Sequence, residues 1–350
     1  MEQTTQRPEQ TDVTLKEFQE IVDGFRGSHI SISSVQKLDV QGFSAFTPTK
    51  AYAILLSDDT SYMLKVAYPS STSNTISAYY TTNTIEVERD LLQILAKTTD
   101  IPHMEPLKLD TTLRIIPYPY LLLAGKPGIP LALARQSGKL SSRQSLLLDL
   151  RIGSYFKQLH ESVQNDWFGL PSQGNDELYS WQEAFTSLLE GLLHEGETIG
   201  VDIPYEDVRR YLSRAIGSFL FDDCEVPSLV SFTGDEWTVM VDFDPETPTE
   251  DEQVPITSMI PTSHALWGDP MLEAMFLEPS LAFLEGYGGS PVVFARQKTK
   301  RLWYTLFLAL IVVLQAESYK AHRSDIDSKT SWARDTLVTC VEKLKDAPCY

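Results

Sequence analysis

The sequence is poor in cysteine, in positive charge and in long apolar runs, and each shortage narrows what the chain can be. Its three cysteines, Cys224, Cys340 and Cys349, show neither metal-ligand spacing nor an even disulfide framework. That usage fits a reducing compartment and a cytoplasmic setting. Basic side chains number 29 against 48 acidic ones, for a formal charge of −19. Such a balance repels nucleic acid and anionic membrane, so neither is expected as a partner. It would suit a cationic ligand, although solubility alone accounts for it. The most apolar run, Leu302 to Leu314, falls short of the ~20 residues a membrane span needs and reads as a buried helix. The start, MEQTTQRPEQTDVT, lacks the apolar core of a signal peptide.

What is present argues for a folded globular protein. Hydrophobic residues make up 42% and aromatic residues 10% of 350 positions, enough for two lobes or one large domain. Residues 1–13 read as a disordered tail. Thr14 with Glu17 forms a capping box, and Leu15, Phe18, Ile21 or Val22, and Phe25 line one face of the helix that follows. Ile30 to Leu38 alternates. Tyr52 to Leu56 and Tyr62 to Ala67 read as paired strands around the turn Ser57-Asp58-Asp59-Thr60. Residues 68–84, rich in Ser, Thr and Asn around Tyr79 and Tyr80, mark a long loop. Glu88, Leu91, Leu92 and Leu95 then follow helical spacing, which places an acid on an apolar face where it needs a partner. Asp242-Phe243-Asp244-Pro245 to Pro255 reads as a solvated acidic loop. Its two carboxylates beside a proline turn are weak evidence for a cation site, and no metal or cofactor is assigned.

Several short motifs, in order, resemble the aminoglycoside-phosphotransferase-like kinases, and Asp166-Trp167-Phe168-Gly169-Leu170-Pro171 is similar to the fungal members at that point. The motifs are Leu229-Val230, Val239-Met240-Val241-Asp242, Leu266-Trp267-Gly268-Asp269-Pro270, the stretch Pro117-Tyr118-Pro119-Tyr120-Leu121-Leu122-Leu123, and Gly125-Lys126-Pro127-Gly128-Ile129-Pro130-Leu131. The likeness runs from about residue 30 to about 345. It implies an α+β, bilobal protein-kinase-like fold, with a β-rich N-lobe over 14–124 and a helical C-lobe over 125–350. It also implies an inter-lobe hinge near residue 125, Lys65 as the nucleotide-binding lysine paired with Glu88, Gln41 to Phe46 as the phosphate-covering loop, and Asp269 as a brace for the catalytic loop.

The residues that should carry the chemistry depart from that family. Without gaps, its catalytic His falls on Ser231, its catalytic Asp on Thr233, its metal-binding Asn on Thr238 and its second metal-binding Asp on Pro261. Metal ions bridging the phosphates carry most of the catalysis of phosphoryl transfer, and Mg²⁺ wants hard oxygen ligands. A proline offers none. With the loop shortened by two residues, Gly234-Asp235 becomes a shifted Gly-Asp. Thr233-Gly234-Asp235-Glu236 also reads as a turn joining two strands. The phosphate-covering loop carries a single glycine, so Phe43 and Phe46 would fill or lid the cleft instead.

The expectation is a kinase fold whose cleft binds a small organic molecule and performs a non-phosphoryl reaction, such as a cyclisation or isomerisation in fungal secondary metabolism. Asp235, Thr233 and His264 are the catalytic candidates, with Tyr79 and Tyr80 as further hydrogen-bond or proton sources. Phe43, Phe46, Lys65, Glu88, Tyr120, Thr238 and Pro261 are expected to line the cleft. His160 reads as a packed structural histidine. A non-catalytic pseudokinase and an active small-molecule kinase remain as alternatives.

Overall fold

The computed structural model describes residues 12–68, 80–174, 177–247, 251–319 and 327–349. The tail expected over 1–13 falls almost wholly outside the described residues, and Tyr79 lies outside them too.

The chain forms two units. Among described residues the smaller comprises 12–39, 48–68 and 106–125. Helix α1 (Leu15–Arg26) starts at the predicted capping box, with Glu17 N donating to Thr14 Oγ1 and Thr14 N to Glu17 Oε2. Strands β1 (Ile32–Leu38), β2 (Thr49–Leu56), β3 (Ser61–Ala67), β4 (Pro106–Asp110) and β5 (Tyr120–Ala124) make an antiparallel sheet in the order β1-β2-β3-β5-β4. Register sets Tyr52 opposite Leu64 and Ile54 opposite Tyr62, so the alternate residues of β2 and β3 share one buried face. Phe18, Ile21 and Val22 of α1 join the same cluster. Each such side chain contributes ~1.5–3 kcal/mol on burial.

The larger unit comprises 40–47, 80–105 and 126–349. The division expected at residue 125 is therefore interrupted: 40–47 and α2 (Ile85–Thr98) belong to this unit, not to the sheet unit. Its other helices are α3 (Leu131–Gln136), α4 (Ser142–Ser162), α5 (Trp181–Ile199), α6 (Tyr205–Gly217), α7 (Leu281–Tyr287), α8 (Ala295–Tyr319) and α9 (Asp327–Asp346). Helix α8 is the core element, buried from Trp303 to Leu314 except at Thr305, with α5 and α9 packed against it. By length and composition Ala295–Glu317 could cross a membrane, but most of its apolar stretch is buried inside the protein. After Asp269 come two short 3-10 turns, Pro270–Leu272 and Ala274–Phe276.

Two small sheets frame the central loop. Strands β6 (Ile129–Pro130), β8 (Met240–Val241) and β9 (Ile256–Ser258) form one, while β7 (Ser228–Val230) pairs with β10 (Leu266–Gly268) in the other. Gly128, at φ +116°, lets β6 approach β8, because a Cβ there would run into the Val241 carbonyl. Residues 231–239 thus leave one sheet and enter another. Thr233 to Glu236 lies in the connection between two strands, as its composition suggested, but the strands belong to different sheets.

Candidate functional site

Glu273 fixes the start of this loop. Its side chain is fully buried, with Ser231 N (2.7 Å) donating to Oε1 and Ser231 Oγ (2.7 Å) and Phe232 N (3.0 Å) donating to Oε2. His160 Nε2 lies 3.4 Å from Oε1 and His160 Nδ1 3.0 Å from Tyr287 Oη, so this histidine is packed and structural. Burial pushes the nearby Arg301 guanidinium down to about 10, against the pull of Glu273. Asp269, expected to brace the loop, is occupied elsewhere: it accepts from Met271 N, Tyr304 Oη and Lys300 Nζ. The brace is Glu273.

Held this way, the backbone is strained on both sides of the site. Phe232 (φ 65°) and Ile260 (φ 65°) are non-glycine residues in the left-handed region. Ile260 is β-branched and precedes Pro261, which makes that conformation doubly unfavourable. Such residues cost about 1–3 kcal/mol each and cluster at functional sites. The strain lies next to Thr233 on one side and next to Pro261 on the other.

Asp235 is the ionisable group between them. Its carboxylate accepts from Trp237 N (3.0 Å) and Phe43 N (3.1 Å), and Lys329 Nζ is 3.8 Å away. Burial raises its pKa above the ordinary 3.8, outweighing Lys329 and the two backbone donors. Thr238 closes the turn: its hydroxyl donates to Asp235 O (2.8 Å) and accepts from Asp235 N (3.1 Å). Thr238 therefore has its hydroxyl committed to the turn. Helix α3 secures the far side, with Ala132 N on Glu236 O and Leu131 N on Val239 O.

A strap from residue 42 to 46 covers the loop. Gly42 (φ +75°) lies so close that a Cβ would collide with the Asp235 carboxylate. Ser44 Oγ donates to Thr233 O (3.1 Å) and is 2.8 Å from Thr233 Oγ1. Phe46 O takes a bond from His264 Nε2 (2.9 Å). Since a carbonyl only accepts, Nε2 carries the proton and Nδ1 accepts from Tyr80 Oη (2.6 Å). Burial holds the Tyr80 hydroxyl well above its usual range, in its protonated donor form. Asn83 clasps the adjoining turn through Thr262 O and Ala265 O.

These positions correct several expectations. Thr233 is completely buried beneath Ser44 and does not line an open site. His264 is 1% exposed with both ring nitrogens engaged, so in this state it is a structural pin rather than a catalyst. Phe43 and Phe46 are buried strap residues. Glu88 is buried on α2 and its Oε2 accepts from Thr262 Oγ1 (2.8 Å). Tyr120 belongs to the core of the small unit and donates to Asp110 Oδ2 (3.2 Å). Lys65 sits in the middle of β3, opposite Ala51 and Leu121. Pro261 and Thr238 are half-buried beside Asp235's loop.

Sequence reasoning missed Glu273, Ser44, Lys329 and Trp332. Signals existed for two of them: Ser44 lies in the stretch Gln41 to Phe46, and Glu273 is an acid four residues after Asp269. Lys329 and Trp332 lie in α9, beyond any motif, and reach the site only through folding. Among the described residues no group of three or more His, Cys, Asp or Glu could hold a metal ion.

The fold has clear relatives among solved structures. A fructosamine-3-kinase-like protein of Haemophilus somnus matches with TM-score 0.60 and 15% identity, over 93% of this chain and 97% of that one. A thermostable mutant of aminoglycoside phosphotransferase APH(4)-Ia, in a ternary complex with ADP and hygromycin B, matches with TM-score 0.57 and 18% identity. It covers 94% of this chain and 99% of that one. Macrolide 2'-phosphotransferase MphH from Brachybacterium faecium matches with TM-score 0.52 and 15% identity, over 91% and 96%. No protein-family model and no curated protein matches the sequence. The chain has the kinase-like aminoglycoside phosphotransferase fold, α+β, with a small antiparallel sheet unit and a larger helical one.

Proposed function

We propose that this chain is a phosphotransferase-fold protein that binds a small organic molecule at the 231–239 loop and moves a proton on it through Asp235, without transferring phosphate. The observation that carries this reading is Asp235 itself: a largely desolvated carboxyl with a raised pKa, on a loop strained at Phe232. A carboxyl poised nearer to working pH is what general acid–base catalysis requires. Its proton goes to one ligand atom and is recovered from another, so a cyclisation or isomerisation balances without a co-substrate.

The residues the family likeness assigns to metal support the same view. Thr238 spends its neutral hydroxyl on its own turn, and Pro261 has no donor to give. A relative of the same fold binds ADP and hygromycin B, so the architecture suits small organic molecules. A second reading, a non-catalytic binding scaffold, is favoured by one observation: Phe43 and Ser44 already occupy the polar atoms of Asp235 and Thr233.

The test is thermal unfolding with ATP, with and without Mg²⁺. A ligand of the native state stabilises by RT ln(1 + [L]/Kd), about 2.7 kcal/mol at a hundredfold excess over Kd. No magnesium-dependent rise in Tm is expected at millimolar ATP. A clear one, or release of the γ-phosphate to any acceptor, refutes the proposal.

A further inference from the structure

Phe43 is held in a way that a core phenylalanine does not require. Its ring, 5% exposed, lies under the Lys329 ammonium, 3.8 Å from Nζ to the ring centroid. The Trp332 ring stands 4.9 Å away, tilted by 58°. Its backbone N–H donates not to another backbone group but to the Asp235 carboxylate, at 3.1 Å. Cation, indole and carboxylate converge on one residue, and the carboxylate retains 14% exposure. The lysine and the tryptophan come from α9, while the carboxylate comes from the 231–239 loop. The N, Cα, Cβ and ring of a phenylalanine are the skeleton of a 2-arylethylamine.

We propose that Phe43 stands in for a ligand: the strap is an internal occupant of a slot built by Asp235, Lys329 and Trp332, and the molecule that displaces it is a 2-arylethylamine or its N-acyl derivative. This rests on the reading of the Asp235 loop as the ligand site. The ring takes the place of the Phe43 ring between ammonium and indole, where the cation faces the π-system. The amine takes the place of the Phe43 N–H. A protonated amine is the better partner, since a charge-assisted bond to a carboxylate is roughly twice as strong as a neutral one. The strap is held by polar contacts, among them Ser44 on Thr233, Phe46 O on His264 and Phe43 N on Asp235, and by the buried side chains of Phe43, Ala45 and Phe46, so an incoming ring must replace the packing that Phe43 gives up. Gly42 is the residue that lets the chain lie against the carboxylate, and no larger residue fits there.

The experiment titrates 2-phenylethylamine into the full chain and follows amide exchange of peptides spanning 40–47 and 231–239. Exchange should speed up in the first and slow down in the second, while 2-cyclohexylethylamine should do markedly less. Unchanged exchange over 40–47 at saturation, or equal effects of the two amines, overturns the proposal. A second arm uses Phe43→Ala, in which the competing ring is gone and only the backbone N–H remains. If the strap is closed more than about nine-tenths of the time, apparent affinity for 2-phenylethylamine should rise about tenfold or more. A merely structural cavity would take ethylbenzene as well as the amine, and equal affinities for the two would likewise sink the idea. Should Phe43→Ala fail to fold, the exchange measurement on the unaltered chain decides alone. Failure here with no magnesium-dependent ATP effect leaves the proton-transfer reading standing; a magnesium-dependent ATP effect removes that reading whatever the amine does.

Discussion

Replacing Glu273 by glutamine tests whether this residue, and not Asp269, holds the central loop. The two side chains have nearly the same shape, so the change isolates charge and hydrogen-bond direction. Oε1 receives Ser231 N and Oε2 receives Phe232 N, both buried donors. An amide NH2 in either place faces an N–H that can only donate. One buried N–H therefore loses its acceptor whichever way the amide turns, which costs about 1–3 kcal/mol. The surviving bonds also fall from the charged to the neutral class, losing about 1 kcal/mol between them. Arg301, whose guanidinium is desolvated nearby, loses a compensating anion as well. We expect Glu273→Gln to lower stability by about 3 kcal/mol in urea unfolding, with an unchanged m-value. Ser231→Ala removes only the hydroxyl that donates to Oε2, and should cost about half as much. Because the two share one contact, the double variant should lose less than the sum of the singles. A loss below about 1 kcal/mol for Glu273→Gln, or strict additivity, would refute the bracing argument.

Two further outcomes follow from the same structure. Lys300, 2% exposed, bridges Asp223 (2.6 Å) and Asp269 (2.7 Å), whose pull on its proton outweighs the opposing effect of burial. Lys300→Met should destabilise by about 3–5 kcal/mol, because Asp269 stays buried without its cation, and urea unfolding that shows less than 1 kcal/mol would contradict this. Asp235 has a folded pKa above 3.8, so between 3.8 and that raised value the native state binds more protons than the unfolded one. Stability from this group is then greatest at the acid end and is lost as pH rises through the window. The difference in unfolding free energy between the wild-type chain and Asp235→Asn should shrink with rising pH there. A difference that grows would show that Lys329 and the backbone donors win over burial.

Much of the fold was written locally. Thr14 and Glu17 set the start of α1, because a cap needs only residues three apart. The alternation of Tyr52, Ile54 and Leu56 with Tyr62, Leu64 and Val66, around Asp58 and Asp59, determined the hairpin of β2 and β3. The apolar run at Leu302–Leu314 determined a buried helix, since its residues have no polar face to offer water. The order of short motifs from Pro117 to Pro270 pointed to the kinase-like architecture that the solved structures share. The site was only half legible. Sequence could name Asp235 and note the carboxylates missing at Thr233 and Pro261 and the amide missing at Thr238. It could not show that Gly42 and Phe43 lie on Asp235, nor that Lys329 arrives from a helix nearly a hundred residues onward. Nor could it show that both nitrogens of His264 are spent, or that Glu273 replaces Asp269 as the brace. Propensity, capping and alternation act over a few residues. Burial, pKa and hydrogen-bond partners depend on which distant segments are brought within a few ångströms, and only the tertiary structure decides that.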